Sequence, residues 1–333
     1  MDIDEAAAVA ERYDRFACDE APGRSDLYAA WARRVADDPA LCAVLARVRP
    51  QRRQPPLVFA VARLLGAPET DDLDAWANWM LTHADELVDE TVRRSLQTNE
   101  PQRCAALLPA LSRIEGPIAL LEVGASGGLC LFPDRYSYRY THDDGRVVAL
   151  DPTGGASTVV LECRVRGERM PWIRLPEVVW RAGIDLNPLD PRDPETKRWL
   201  TALVWPGESG RTARIEAAVD IAAAEPPMLV AGDAAEALRT LAEAAPRGVT
   251  LVVTTPGVLA HIPAASRTRV IETARSSGHW ITLDAPGLHA GWNGSVDGIR
   301  DGFALALDGD VLAAVDPLGH WWEWHDGTRP LGR

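Results

Sequence analysis

Apolar residues recur at steps of three and four positions along the first 115 residues of the chain. Leu57, Val61 and Leu64, for example, share one face of a helix at this spacing. Pro and Gly residues separate the successive segments of this kind. The pattern predicts helices at Asp4–Cys18, Asp26–Ala36, Pro39–Arg47, Pro56–Leu65, Leu73–Met80, Ala84–Leu96 and Gln102–Ser112. We therefore expect residues 1–115 to form an all-helical N-terminal domain, a helical bundle.

From residue 116 onward, short apolar runs alternate with helix-like stretches, which favours a parallel sheet covered on both faces. The runs predict strands at Ile118–Val123, Val178–Ile184, Met228–Ala231, Val249–Thr254, His279–Leu283, Phe303–Leu307 and Val311–Val315. The last two runs are typical of a hairpin, so we expect an antiparallel edge on a mostly parallel, Rossmann-like sheet. Residues 116–333 are thus predicted to form an α/β domain, with a β-rich insertion at about 135–180.

Charge and composition narrow the classes of partner. The chain has 35 Lys and Arg against 48 Asp and Glu, a formal net charge of −13. So negative a surface repels phosphate backbones and anionic lipid, and we expect neither a nucleic-acid partner nor a membrane. No apolar run reaches the roughly 18–20 residues of a membrane span, and the first residues are acidic, unlike a secretory signal. A cytoplasmic protein is therefore expected.

Neither the cysteines nor the histidines follow a metal-binding pattern. The five cysteines are scattered without a Cys-x-x-Cys pair, and none of the seven histidines is paired at ligand spacing. We therefore expect no metal and no disulfide framework, and we expect the cysteines to be mostly buried as small apolar residues.

A glycine-rich turn follows the first predicted strand. Glu122 precedes Gly124 by two positions, and Ser126, Gly127 and Gly128 complete the turn. Glycines at a strand end allow tight turns and close approach of backbone amides to a ligand. A carboxylate placed this way favours a ligand with amino or hydroxyl groups, as in S-adenosyl-L-methionine sites, and the Gly-Lys-Ser/Thr of a Walker loop is missing. The alternative is a tight strand-to-helix connection with no ligand.

Three further acids follow predicted strands and should meet at the same edge of the sheet. Asp185 is placed to accept two ribose hydroxyls, and Asp233 to accept an adenine amino group. Asp284 follows the run His279–Leu283. Each acid alone has the alternative role of capping a helix, above all Asp233, which precedes a helix-forming segment.

These motifs carry a resemblance to known families. The C-terminal two-thirds resembles the superfamily of methyltransferases that use S-adenosyl-L-methionine, and nearly the whole chain is similar to an uncharacterised bacterial family, a domain of unknown function. The narrower resemblance rests on Leu121–Ser126, Asp134–Tyr138, Trp180–Asp190, Arg198–Leu200 with Val204–Pro206, and Gly319–Trp324. The narrower resemblance implies a methyltransferase-type core but no established reaction, and the wider one implies S-adenosyl-L-methionine as a possible cofactor. Ser126 replaces the usual middle glycine and Pro133 comes early, so loss of the cofactor is the alternative.

Reacting groups are expected near the ends of the central strands. His261 and Asp284 are candidate catalytic proton acceptors, and Thr255 is a candidate catalytic hydrogen-bonding group. The candidates for contacting substrate are Arg135, Tyr138, Asn187 and Thr254. The alternatives are an exposed loop histidine, a threonine that caps a turn, and a tyrosine that only packs.

We expect a small-molecule group-transfer enzyme, a transferase with the methyltransferase fold that works by positioning a donor against a nucleophile. Two alternatives stay open. One is nucleophilic substitution or ring closure on a biosynthetic intermediate without S-adenosyl-L-methionine, and the other is a non-catalytic partner subunit. The expected partner is a small-molecule substrate, and a homo- or hetero-oligomer is left open.

Overall fold

A computed structural model describes residues 3–293, 296 and 299–325. Its helices are α1 (Ile3–Arg15), α2 (Asp26–Ala36), α3 (Pro39–Ala46), α4 (Pro55–Leu64), α5 (Leu73–Thr82), α6 (Ala84–Arg93), α7 (Arg103–Leu111), α8 (Pro194–Ala202), α9 (Arg211–Ala224), α10 (Ala234–Glu243) and α11 (Ala264–Ser277). Side chains cap several of them, and Ser25, Asp38, Asp72 and Asp233 each accept a hydrogen bond from the first turn. Among the described residues, no helix combines the length and the apolar character that crossing a membrane requires.

All strands of the described chain belong to one mixed sheet. They are β1 (Pro117–Val123), β2 (Ser137–His142), β3 (Val147–Leu150), β4 (Val160–Arg166), β5 (Glu177–Asp185), β6 (Met228–Ala231), β7 (Thr250–Pro256), β8 (His279–Asp284), β9 (Phe303–Leu307), β10 (Asp310–Val315) and β11 (Trp321–Trp324). Their order across the sheet is β3-β2-β4-β11-β10-β9-β8-β7-β1-β5-β6. The prediction of a mixed α/β architecture with helices before the sheet is thus confirmed.

The chain forms two compact units. One contains the described residues up to Thr98 together with Pro194–Glu216, and the other contains Asn99–Asp193 and the described residues from Ala217 onward. Helix α7 therefore belongs to the unit with the sheet, and α8 belongs to the helical unit. A compact unit is not by itself an independently folding domain, so the domain boundary near residue 115 stays a prediction.

Phe59 is the centre of the core of the helical unit. Its ring lies 5.0 Å from Tyr28 and 5.6 Å from Trp31, measured between centroids. Trp31 in turn stacks on Trp76 at 4.8 Å. These rings are fully buried, and aromatic pairs at such distances add to the free energy gained by burying their area.

The sheet unit is parallel at its centre. Strand β1 pairs in parallel with β5 on one side and with β7 on the other, so the chain reverses its direction of progress across the sheet at β1. In open α/β sheets such a reversal leaves a crevice at the carboxyl ends of the strands, where ligands bind. Strands β6 and β8 extend the parallel arrangement outward.

The predicted hairpin exists, but its predicted place in the sheet is wrong. Strands β9 and β10 pair antiparallel, as expected, yet β9 also pairs with β8 and β10 with β11. The hairpin is therefore inside the sheet. Beyond it, β11 pairs with β4, and the inserted strands β2–β4 continue the same sheet to an edge at β3. Pairing over such long sequence separations leaves no local pattern, which is why the sequence did not indicate it.

Strand register assigns the polar residues near the carboxyl ends to opposite faces. Glu122 is aligned with Thr254, so these two side chains share one face. Thr255 is aligned with Thr282, and Asp284 lies two residues further along the same strand, so these three share the other face.

The connection from α11 into β8 has no room for a side chain. A Cβ atom on Gly278 would lie 2.3 Å from the carbonyl oxygen of Leu251, which is backbone and cannot rotate away. We predict that Gly278→Ala lowers the free energy of unfolding by about 1–3 kcal/mol, measured by urea denaturation. Gly154→Ala is the control, because a Cβ there meets nothing within 4 Å. Equal stability of the two variants would contradict the predicted close approach.

Candidate functional site

The turn after β1 has the backbone conformation that the glycines predict. Gly124 and Gly128 have φ values of 76° and 73°, and Ser126 lies between them at 49°. A serine in the left-handed region is strained and persists only where its surroundings hold it. Here its hydroxyl accepts a hydrogen bond of 2.7 Å from the amide of Asn99, and its carbonyl accepts one of 3.1 Å from the backbone of Leu189.

The backbone amides of this turn all donate to the protein itself. Along Gly124–Gly128, the first two donate to the carbonyl of Ile184, at 2.8 and 3.1 Å. The third donates to the carboxylate of Asp185 and the fourth to the side-chain oxygen of Asn99, each at 2.9 Å. The fifth donates to the carbonyl of Ala125 at 2.7 Å. In this arrangement no amide of the turn is left for a ligand.

Val258 and Pro227 pack directly against the turn. A Cβ atom on Gly124 would lie 2.4 Å from a methyl carbon of Val258, and one on Gly128 would lie 2.9 Å from Pro227. The glycines are therefore needed for close packing within the chain. With its amides engaged and its surface covered, the turn as arranged does not fit the amino-acid moiety of S-adenosyl-L-methionine.

The two acids predicted to hold the nucleoside have structural partners. One carboxylate oxygen of Asp185 accepts from Ser126 and the other accepts from the backbone of Asn187 at 2.8 Å. Asp233 is exposed and caps α10 by accepting from the amide of Ala235 at 2.7 Å. Asp233 thus makes the helix-capping contact that was its alternative role in the sequence analysis. The cofactor-binding roles of both acids, and of the turn, stay predictions.

Glu122 is a buried acid with an unused oxygen. It is 3% exposed, and among the described residues its Oε2 atom has no hydrogen-bond partner. Burial raises the pKa of Glu122 well above its ordinary value, and the neighbouring Cys130 acts in the same direction. The positive charge of Arg103 offsets part of this rise.

Asp284 is a second buried acid, at the end of β8. It is 1% exposed, and its Oδ1 atom has no hydrogen-bond partner among the described residues. Burial raises the pKa of Asp284 to about 7, against the opposing effects of a hydrogen bond from Thr282 and the charges of Arg267 and Arg103. Both protonation states are therefore populated near neutral pH, as general acid–base catalysis requires.

A chain of hydrogen bonds orients Asp284. The indole of Trp280 donates to the hydroxyl of Thr255 at 3.0 Å, and that hydroxyl donates to Thr282 at 2.7 Å. The hydroxyl of Thr282 then donates to Oδ2 of Asp284. Thr255 is fully buried and its proton is engaged, so it acts on Asp284 through Thr282. This contact differs from the expected hydrogen bond to a substrate.

His289 faces the same carboxyl group. Its Nε2 atom lies 3.9 Å from Oδ2 of Asp284 and has no hydrogen-bond partner among the described residues. Its Nδ1 atom accepts from the amide of Gly291 at 3.1 Å, so the proton of the neutral ring is on Nε2. The ring packs on Trp292 at 4.1 Å. Burial lowers the pKa of His289, and the charge of Arg267 lowers it further.

Arg267 ties together the loops that follow β7 and β8. Its guanidinium donates to the carbonyls of Leu259 at 2.9 Å and Ile262 at 3.1 Å, which flank His261. It also donates at 2.7 Å to the carbonyl of Leu288, the residue before His289. One side chain thereby positions both the loop of His261, which the sequence analysis named as a candidate, and the loop of His289, which it did not name.

The other candidates lie outside this pair. His261 is exposed, and its backbone amide donates to Val258. Thr254 is buried on the opposite face, with Glu122. Arg135 forms an ion pair of 2.5 Å with Glu225. Tyr138 is buried, and its hydroxyl donates to the backbone carbonyl of Pro133 at 2.6 Å. Asn187 is exposed. Their proposed contacts with substrate stay predictions.

Sequence reasoning missed His289, Thr282 and the anchoring side chains of Asn99 and Arg267. A usable signal existed for His289, which follows Asp284 by five residues across Ala-Pro-Gly-Leu, a segment that must turn. Within the described residues no group of three or more His, Cys, Asp or Glu is arranged to hold a metal ion.

The geometry defines a mixed α/β protein with buried acids at the carboxyl ends of parallel strands. The chain belongs to the family described as "Uncharacterized protein conserved in bacteria (DUF2332)", whose profile matches residues 10–324. No significant match to a curated protein or to a solved structure was found.

The conformation of the turn depends on Asn99. Asn99→Ala would leave the amide of Gly127 and the hydroxyl of Ser126 without their partner in a buried region. We predict a loss of about 1–3 kcal/mol in the free energy of unfolding, measured by urea denaturation. Asn78→Ala, at an exposed helix position, should change it little. A loss equal to that of the control would show that Asn99 does not hold the turn.

The raised pKa of Asp284 makes stability depend on pH. Between about pH 4 and 7 the unfolded chain releases this proton while the folded protein keeps it, so wild type loses stability as pH rises. We predict that the free energy of unfolding of Asp284→Asn rises relative to that of wild type, by up to about 1.4 kcal/mol for each pH unit across this range. Urea denaturation at several pH values measures the difference. Asp310→Asn, at an exposed position of β10, is the control for the loss of a carboxylate. A difference in stability between Asp284→Asn and wild type that stays constant over this pH range would contradict the shift.

Proposed function

We propose that the protein is a small-molecule group-transfer enzyme in which Asp284 and His289 carry out acid–base chemistry without S-adenosyl-L-methionine. The observation that carries this proposal is the buried pair itself. Asp284 Oδ1, at the carboxyl end of β8, and His289 Nε2, in the loop that follows, are both buried and have no hydrogen-bond partner among the described residues. Leaving such atoms without partners costs about 1–3 kcal/mol each, a cost that a substrate would offset by bonding to them.

We also propose that the parallel strands form a methyltransferase-like core. The order β6-β5-β1-β7-β8, with the reversal of direction at β1, supports it. Ligands in such sheets bind at the carboxyl edge, where β8 ends in Asp284. The position of the acid relative to the reversal is therefore consistent with a substrate site in that crevice.

The chemistry follows from the hydrogen bonds of Asp284. Since Oδ2 already accepts from Thr282, Oδ1 is the atom that takes a proton from an amine or hydroxyl of the substrate. The freed electron pair forms a bond to an electrophilic carbon, and the bond from that carbon to the leaving group breaks, with its electrons, to release an anion. His289, which carries its proton on Nε2, is placed to hydrogen-bond to the carboxylate or to the departing anion. An intramolecular ring closure fits this scheme.

The turn after β1 supports the version without the methyl donor. Its amides and both oxygens of Asp185 are engaged within the chain, so using the cofactor would require breaking several buried hydrogen bonds. The same observation favours a second candidate function, a non-catalytic partner subunit in which the turn is purely structural. The unpartnered atoms of Asp284 and His289 favour the enzyme.

Turnover of an unidentified substrate tests the proposal. Purified protein is incubated with a bacterial metabolite extract, and masses that disappear or appear are followed by mass spectrometry. We predict a conversion that Asp284→Asn and His289→Gln each reduce by about a hundredfold or more, because general acid–base catalysis contributes about 10²–10⁴ in rate. Asp310→Asn should convert the same substrate at the wild-type rate.

Calorimetric titration with S-adenosyl-L-methionine separates the versions. We expect no binding by folded wild type. Binding that is lost in Glu122→Ala and Asp185→Ala would overturn the cofactor-independent version and restore the methyl donor. No conversion of any metabolite by wild type would instead favour the partner subunit.

A further inference from the structure

Arg103 holds its guanidinium over the end of β7. Nε donates to the carbonyl of Pro317 at 3.0 Å, and Nη1 donates to the carbonyl of Pro256 at 2.9 Å. A Cβ on Gly257 would lie 3.2 Å from Nη2, so the glycine lets the guanidinium come close to the backbone. Nη2 makes no hydrogen bond within the part of the chain that the structure describes.

The position of Arg103 relates it to both buried acids. Pro256, which accepts its hydrogen bond, is the last residue of β7, and β7 lies between β1 and β8. Two residues before Pro256, the strand is aligned with Glu122, and Pro256 itself is aligned with Leu283, the neighbour of Asp284. The guanidinium is thus placed at the strand ends between the two acids, and its charge lowers the pKa of each.

The charges favour an anion in this place. Burial raises the pKa of Asp284 to about 7, so this acid carries only part of its negative charge at neutral pH. An arginine side chain is positively charged at any ordinary pH. A carboxylate is the small anion whose geometry suits the free N–H groups of an arginine. At the end of the adjacent strand β8, Asp284 Oδ1 has no hydrogen-bond partner among the described residues and is able to bond to an amino or hydroxyl group.

We propose that Arg103 and Asp284 form a binding site for a small carboxylate that carries an amino or hydroxyl group. The site rests on the proposed function in that this carboxylate is the substrate of the reaction. Arg103 binds the carboxylate through Nη2. The amino or hydroxyl group lies against Asp284 Oδ1, the atom that takes the proton.

Glycolate is the probe, and glycolamide, its uncharged isostere, is the comparison. Titrations followed by the NMR signals of the protein should show saturable binding of glycolate with a Kd of about a millimolar, and no binding of glycolamide. Arg103→Gln should weaken glycolate binding by about tenfold or more, because a hydrogen-bonded charge is lost. Arg103→Lys keeps the positive charge but lacks the paired N–H groups of the guanidinium, so its affinity for glycolate should lie between those of wild type and Arg103→Gln. Arg269→Gln, at an exposed position of α11, is the control and should bind glycolate as wild type does.

Two results would overturn the site: equal binding of glycolate and glycolamide, including none of either, or wild-type affinity in both Arg103 variants. If Arg103→Gln does not fold, Arg103→Lys and the comparison of the two probes decide. Asp284→Asn separates this proposal from the proposed function. It removes the group that takes the proton, so turnover should fall by about a hundredfold or more. The Asn side chain still hydrogen-bonds to the hydroxyl of glycolate, so glycolate binding should weaken less than in Arg103→Gln. Arg103-dependent binding together with undiminished turnover in Asp284→Asn would contradict the proposed function and leave the carboxylate site.

Discussion

The buried turn after β1 must find an acceptor for each of its backbone amides, because water is excluded from it and an orphaned amide is costly. The acceptors come from three separate segments, at Ala125 within the turn, at Asn99 before α7, and at the end of β5. This network holds Ser126 in its strained backbone conformation. In this arrangement the turn connects β1, β5 and the segment before α7 through hydrogen bonds within the chain.

Burial also shifts the pKa values of two carboxyl groups near the strand ends, those of Glu122 and Asp284. Glu122 and Asp284 end on opposite faces of the sheet, and for both acids the effect of burial on the pKa outweighs that of the nearby positive charges. Both therefore favour the neutral form more than an exposed acid does. Asp284 retains a pKa near neutrality because Thr282 and two arginines act against burial. Perturbed acids of this kind are typical of functional sites.

Much of the fold could be predicted from local pattern. The apolar runs Met228–Ala231 and Phe303–Leu307 are strands with the predicted bounds, and Asp26–Ala36 is a helix with the predicted bounds, because breakers and apolar periodicity mark their ends. In strand β11 buried and more exposed residues alternate, as expected of a strand. Its pairing with β4 could not be predicted, because no local pattern specifies which distant strand is the neighbour.

The candidate site was partly predictable. Asp284 is conspicuous as an acid after an apolar strand, whereas His289 is in a loop without periodicity and reaches the acid only through the turn between them. The direction in which Thr255 donates its proton depends on the register of β7 against β8, which no single strand reveals. The pKa of an acid likewise depends on what covers it, and that is a property of the folded chain.

The pairing of β11 with β4 constrains the order of events during synthesis. The inserted strands β2–β4 join the rest of the sheet through residues 321–324, which leave the ribosome long after β4 itself. Until then the hairpin β9–β10 and strand β4 both have an open edge, each able to pair with another chain. The sheet is therefore completed only after β11 has been synthesised, and nascent chains are exposed to mispairing for as long as this strand is missing.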